Sequence, residues 1–231
     1  MADPGKYNHN QELYSRLVNE LEAAHPPITL TSEYAYFVEK DLLRLLIRLA
    51  RYKFIARLLK PTDTVLEVGS GSGLGALFLS QHCKEVVGIE VKKSEVEEAQ
   101  SINRRKNVSF IHGDLHDLSV TKKYDAIVAL DVIEHIPETD ASNFFKVINK
   151  HLGVSGMCMI GTPSAHSYPH QSALSKASHE KCYDQHELVS LMDTWYGRTL
   201  PFSMNDEIVH TGNPKMAWYY FVLGLCPCEG A

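Results

Sequence analysis

Val65-Leu66-Glu67-Val68-Gly69-Ser70-Gly71-Ser72-Gly73 is a short apolar run that ends in an acid and three alternating glycines, and the apolar-periodic segment Leu74 to Ser80 follows it. Strand, glycine turn and helix start, in that order, bring a nucleotide-like ligand against a helix N-terminus. Glycine is the residue of choice where the main chain must approach a ligand closely or take a positive φ. Glu67 weighs against a pyrophosphate, which its carboxylate would repel, and suits a ligand that carries positive charge. Counted from Gly71, the stretch also reads G-x-G-x-x-A with Ala76 in last place. A nicotinamide or flavin site, or a merely structural turn, therefore stays open at this level.

The same residues, Glu67 to Gly73, resemble motif I of the class I S-adenosylmethionine-dependent methyltransferases, in which the glycine loop passes under a sulfonium amino acid. The resemblance implies S-adenosylmethionine as cofactor, with Glu67, Gly69, Gly71 and Gly73 at the donor site. Downstream runs fit it. Val86 to Ile89 ends in Glu90, about twenty residues after the first glycine, where an open α/β fold places a carboxylate for ribose hydroxyls. Val108 to His112 leads into Asp114 and Leu115, an acid for an adenine amino group and an apolar face for the ring. Each acid could instead cap a helix or sit solvated in a loop, but a strand ending in an acid recurs three times.

At 231 residues and 44% apolar content the chain can bury one good core. Its net charge of −5 argues against a broad nucleic-acid footprint, although Lys92-Lys93 and Arg104-Arg105-Lys106 are local basic pairs and triplets. Five irregularly spaced cysteines suggest reduced thiols and a cytoplasmic setting. Cys226 and Cys228 lack the second pair that a zinc site needs. There is no signal-peptide pattern and no apolar run near the ~20 residues that span a bilayer. Oligomeric state is not legible.

The expected fold is a doubly wound, mostly parallel, seven-stranded Rossmann-like sheet with an antiparallel C-terminal strand pair. An N-terminal helical cap or substrate lid is expected over 1–60 and the methyltransferase domain over 61–231. Apolar spacing from Ser32 to Leu59 is helical, as one helix or two. After the strand that Val65 opens, strands are expected at 86–90, 108–111, 125–130 and 157–161, and helices at 74–82, 94–104 and 141–151. Phe202-Ser203-Met204 and Trp218 to Leu223 read as the final strands, with the polar stretch 203–212 between them as a turn and His210 as a reserve base.

The strand Ala126 to Leu130 runs into Asp131-Val132-Ile133-Glu134-His135, ionisable groups at the carboxyl edge of the sheet. Spaced i, i+3 and i+4, Asp131, Glu134 and His135 would share one face of a helix. Such oxygen-rich ligation favours Mg²⁺ or Mn²⁺. The segment is similar to the Glu-x-x-Glu-His metal motif of the ubiquinone-pathway O-methyltransferases and of the small-RNA 2′-O-methyltransferases, with Asp131 where a Glu is usual. The resemblance to the small-RNA enzymes adds a later His from the segment after strand five, and His179 in Ser178-His179-Glu180 is its candidate. Asp131 is counted with the donor residues as well. The expected activity is O-methylation of a small-molecule hydroxyl, with His135 or His179 as base, or with both as metal ligands alongside Asp131 and Glu134. Methylation of RNA ends, a non-catalytic donor-binding subunit and a nicotinamide oxidoreductase are the alternatives.

Overall fold

The computed structural model describes residues 4–119 and 121–228, with side chains described from residue 9 onward. Two compact units divide the chain between Leu30 and Thr31. The first holds α1 (Pro4–Ala24), a polar helix whose Arg16 and Glu20 pair at 3.9 Å, one turn apart. No helix among the described residues is long and apolar enough to cross a membrane.

In the second unit, α2 (Ser32–Lys40) and α3 (Leu42–Ala56) precede a regular alternation. This runs β1 (Thr64–Val68), α4 (Leu74–Leu79), β2 (Glu85–Glu90), α5 (Lys93–Ile102), β3 (Val108–His112), β4 (Tyr124–Leu130), α6 (Ala141–His151) and β5 (Leu152–Pro163). The elements α7 (Ala173–Ser178), α8 (Gln185–Asp193), β6 (Tyr196–Asn205), β7 (Ile208–His210) and β8 (Tyr219–Pro227) follow. One sheet takes the order β3-β2-β1-β4-β5-β8-β6-β7. The first five strands pair in parallel, and β8 joins antiparallel to both β5 and β6.

Parallel strands covered on both faces must be apolar throughout, and the period of two divides their residues between two cores. Leu66, Ile127 and Ile160 pack with Phe145, Leu188 and Trp195 on the α6 and α8 side. Val65, Val128 and Met159 pack with Ile55, Leu79 and Phe221 on the α3 and α4 side. The Ser32–Leu59 region resolves into two helices because Asp41 leaves helical geometry and its side chain accepts from the Arg44 amide of the next one.

The sheet has eight strands, not seven. Met204 and Val209 stand opposite each other across a tight hairpin whose Asp206 takes φ +48°. The added strand, β7, spans three residues inside the polar stretch read as a turn, too short for alternation to show. Strand order runs outward in opposite directions from β1 and β4, so the crevice beyond their carboxyl ends is a topological switch point. The glycine loop and Asp131 both emerge there.

Candidate active site

The turn after β1 is set by backbone chemistry. Gly69 has φ +69°, and a Cβ on it would come 2.5 Å from Val132 Cγ2; its amide donates to the Ile89 carbonyl at 2.9 Å. Glu90, at the end of β2, accepts from the Gly71 amide at 2.9 Å and from the Lys92 amide at 3.0 Å, so one carboxylate clamps the loop. From the other side, the Leu74 amide donates to the Tyr34 hydroxyl at 3.0 Å and the Thr31 hydroxyl meets that of Ser72 at 3.2 Å. The start of α2 therefore braces the loop.

A cavity of about 940 Å³ opens over this turn, within the range of cofactor sites. Gly69, Gly71, Glu90, Asp114, Leu115, Asp131 and His135 are on its wall. Asp114 accepts from the His116 amide at 2.9 Å and from its ring at 2.8 Å, and the backbone donor above all holds the carboxylate below its usual range. Gly73 and Glu67 lie off the wall. Gly73 precedes α4 at φ +91°, against Ala99 and Phe110. Glu67 is 1% exposed behind the loop, facing Tyr52 and the first turn of α4, and burial pushes its carboxyl up to about 8.

A second cavity, about 310 Å³, shares Glu33, Arg48, Asp131 and His135 with the first. Arg44, Arg48 and Arg51 rise from one face of α3 toward it, and each already has a carboxylate: Asp41 at 3.2 Å, Glu33, and Asp131 at 2.6 Å respectively. Arg51 also lies 3.7 Å over the Tyr219 ring. Asp131, at φ +55°, is thus an ion-pair partner of α3.

The expected helical face of Asp131, Glu134 and His135 does not form. Only a 3₁₀ turn spans Ile133–His135, and Arg51 holds Asp131 away. Ligand atoms of Glu134, His135 and His179 instead lie within 4.8 Å of one another, a grouping that leaves Asp131 out. Glu134 is 1% exposed; its Oε2 accepts from the Thr162 hydroxyl at 3.0 Å while its Oε1 is buried without a partner. Burial first, and the Asp131 charge second, push its carboxyl up to about 8. His135 must carry its proton on Nδ1, because that atom lies 2.8 Å from the Ser178 carbonyl, which can only accept. The Nε2 lone pair is then available. The ring of His179 stands 5.1 Å from that of His135, with a buried Nδ1 that has no partner, and burial lowers its pKa.

The match to known proteins covers the chain from β1 into β5. Residues 65–156 match a methyltransferase domain family. Ubiquinone biosynthesis O-methyltransferase of Rickettsia akari (strain Hartford) is 30% identical over 100 residues, 42% of this chain and 39% of that protein. The same enzyme of Rickettsia prowazekii (strain Madrid E) is 32% identical over 101 residues, again 42% and 39%. The matched stretch thus spans well under half the length of these curated relatives. A S-adenosylmethionine-dependent methyltransferase from Thermotoga maritima superposes with a TM-score of 0.65 at 16% identity, covering 93% of this chain and 98% of that one. The N-methyltransferase NodS of Bradyrhizobium japonicum, in complex with S-adenosylhomocysteine, gives 0.59 at 16%, covering 79% and 88%.

The fold is that of the class I S-adenosylmethionine-dependent methyltransferases. The resemblance read in motif I agrees with the domain match over residues 65–156, and the Rossmann-like sheet is the one expected. Residues that the sequence reading missed are Glu33 and Arg48, which are on the walls of both cavities, and Arg51, on the wall of the second. Arginines at i, i+4 and i+7 on a helix that is otherwise apolar toward the core were the available signal.

Proposed function

We propose that the protein transfers the methyl group of S-adenosylmethionine to a hydroxyl of a small molecule, with a divalent ion assisting. The observation that carries this reading is the trio Glu134, His135 and His179, gathered beside the donor cavity with two buried atoms lacking partners. The name of the Rickettsia relatives, O-methyltransferases, supports oxygen as the acceptor atom. Glu67, Gly69, Gly71, Gly73, Glu90, Asp114, Leu115 and Asp131 are proposed as the donor site, Glu67 and Gly73 by shaping the loop from behind. The 1–60 cap is proposed to act through α2 and α3, whose Glu33 and Arg48 wall both cavities.

Methyl transfer from a sulfonium is an in-line displacement with an activated donor, so alignment of donor and acceptor is the main task. The acceptor hydroxyl must also lose its proton. His179, whose pKa burial lowers, is neutral at neutral pH and can serve as base or ligand. The donor set of one carboxylate and two imidazoles fits Mn²⁺ better than Mg²⁺, which prefers oxygen ligands. Held there, the ion would lower the pKa of the hydroxyl and leave Glu134, His135 and His179 as its ligands.

Calorimetric titration with S-adenosylhomocysteine, with and without Mn²⁺, tests the reading. Binding is expected to weaken at least tenfold in Glu90→Ala, which unclamps the loop, and Mn²⁺ binding is expected to vanish in Glu134→Ala. A chain that does not bind the nucleoside is not a methyltransferase. Nucleoside binding with no Mn²⁺ binding leaves His135 or His179 as a metal-free base.

A further inference from the structure

We infer that the acceptor is a polyhydroxylated ring, a sugar or cyclitol, seated on Trp218 with its hydroxyls between Arg51 and Gln171. This rests on the methyltransferase reading above. A third cavity, about 380 Å³, adjoins the one beside Glu134, His135 and His179; Arg44, Arg51, Pro163, Gln171 and Ser175 are common to both walls. A ring in the larger space can therefore extend a hydroxyl toward the trio.

Two features of that space decide the chemistry of its ligand. Trp218 is half exposed and meets His170 edge-on at 5.3 Å, so it offers the aromatic platform that the C–H face of a sugar ring packs against. The second feature is a mismatched pair of polar atoms on the shared wall. Arg51 Nε, a donor, and Gln171 Oε1, an acceptor, are both buried without partners. The orientation of the Gln171 amide is fixed by its neighbours. Ser167 gives its only hydroxyl proton to the Ser164 carbonyl at 2.7 Å, so it can only accept from Gln171, whose Nε2 lies at 3.2 Å.

A hydroxyl donates and accepts at once, so neighbouring hydroxyls on one ring match both kinds of orphan on this wall. A carboxylate or phosphate would satisfy Arg51 alone, and it would face Gln171 Oε1, Asp41 and Asp206 on the same wall. The arginines around it are already neutralised by Asp41, Glu33 and Asp131. An amine would meet the opposite mismatch at Arg51. Neither orphan atom touches solvent in this arrangement, so a bound ring has to displace the groups that cover them while Gln171 keeps its Nε2 on Ser167.

The test is a titration of Trp fluorescence at saturating S-adenosylhomocysteine. Probes are methyl α-D-mannopyranoside, methyl β-D-glucopyranoside, methyl β-D-galactopyranoside and myo-inositol, with 3,4-dihydroxybenzoate titrated by calorimetry as the planar diol. The chain has two tryptophans, and Trp195 is buried, so Trp218 carries the response. At least one polyol is expected to shift the emission saturably. With binding read by calorimetry instead, Trp218→Ala should abolish polyol binding and Gln171→Leu should weaken it about tenfold, the loss that goes with one buried hydrogen bond. Both variants should bind S-adenosylhomocysteine as the parent does. Normal nucleoside binding with no polyol response, or binding of the dihydroxybenzoate alone, overturns the inference. Failure to bind the nucleoside overturns the methyltransferase reading itself.

Discussion

Replacing Glu67 by Gln tests the buried carboxyl beneath the glycine loop. The side chain is 1% exposed, neither of its oxygens makes a well-formed hydrogen bond, and burial raises its pKa from 4.5 to about 8. The native state therefore holds a proton that the unfolded chain releases above its own pKa of 4.5. Stability from this group is fully present below that value and is lost as pH rises through about 8. Integrating the linkage at ~1.4 kcal/mol per pKa unit, the loss between pH 5.5 and 7.5 comes to about 2.5 kcal/mol. For a chain of this size that is a fall in Tm of roughly 5–10 °C. Glutamine keeps the shape and cannot ionise, so Glu67→Gln removes this fall while every other titrating group contributes equally to both proteins. Thermal melts of parent and variant at the two pH values give the double difference. Parallel Tm-against-pH lines would refute the reasoning, because they would mean that the carboxyl is ionised in the native state at neutral pH.

Two further substitutions probe how the loop and the acceptor side are held. Gly73→Ala forces a Cβ at φ +91° to within 2.7 Å of Ala99 Cβ and Phe110 Cζ, and should cost about 2–5 kcal/mol in denaturant unfolding; a loss under ~1 kcal/mol would show that α5 gives way freely. Asp184 and Glu187 form a reciprocal capping box at the start of α8, so Asp184→Ala should lower stability by ~1 kcal/mol, read as a shift in urea midpoint at constant slope, whereas Asp184→Asn should lose less.

The donor half was legible because parallel strands write themselves as unbroken apolar runs and the turn after β1 needs glycine. The strand from Val65, those at 86–90 and 108–111, and the helix at 141–151 match the structure to within a residue or two. The surroundings of Asp131 and His179 were not legible in the same way. The site beside Asp131 depended on one backbone angle, φ +55°, and on an arginine eighty residues away in sequence. Helical spacing therefore assigned Asp131 to the wrong company, while His179, brought in by resemblance, does meet Glu134 and His135. His179 sits just after α7, and the Glu180 and Lys181 amides donate to the Glu134 carbonyl at 2.8 and 3.2 Å; no periodicity announces such a tie. The hairpin partner β7 escaped for the opposite reason, being too short and polar to carry a pattern.

The place of β8 in the sheet has a consequence for biosynthesis. It is later in sequence than either neighbour, yet it lies between β5 and β6 and, among the described residues, alone joins the β6–β7 hairpin to the parallel half. A chain emerging from the ribosome must carry β5 and β6 as two open edges until Tyr219 and the residues after it arrive. Unpaired edges invite pairing with other chains, so this interval is when the protein most needs a chaperone's protection. Trp218 and Tyr219 arrive with that same strand. The cavity over the glycine loop draws no wall residue from β8, whereas the one walled by Trp218 and Tyr219 is completed only when that last strand is in place.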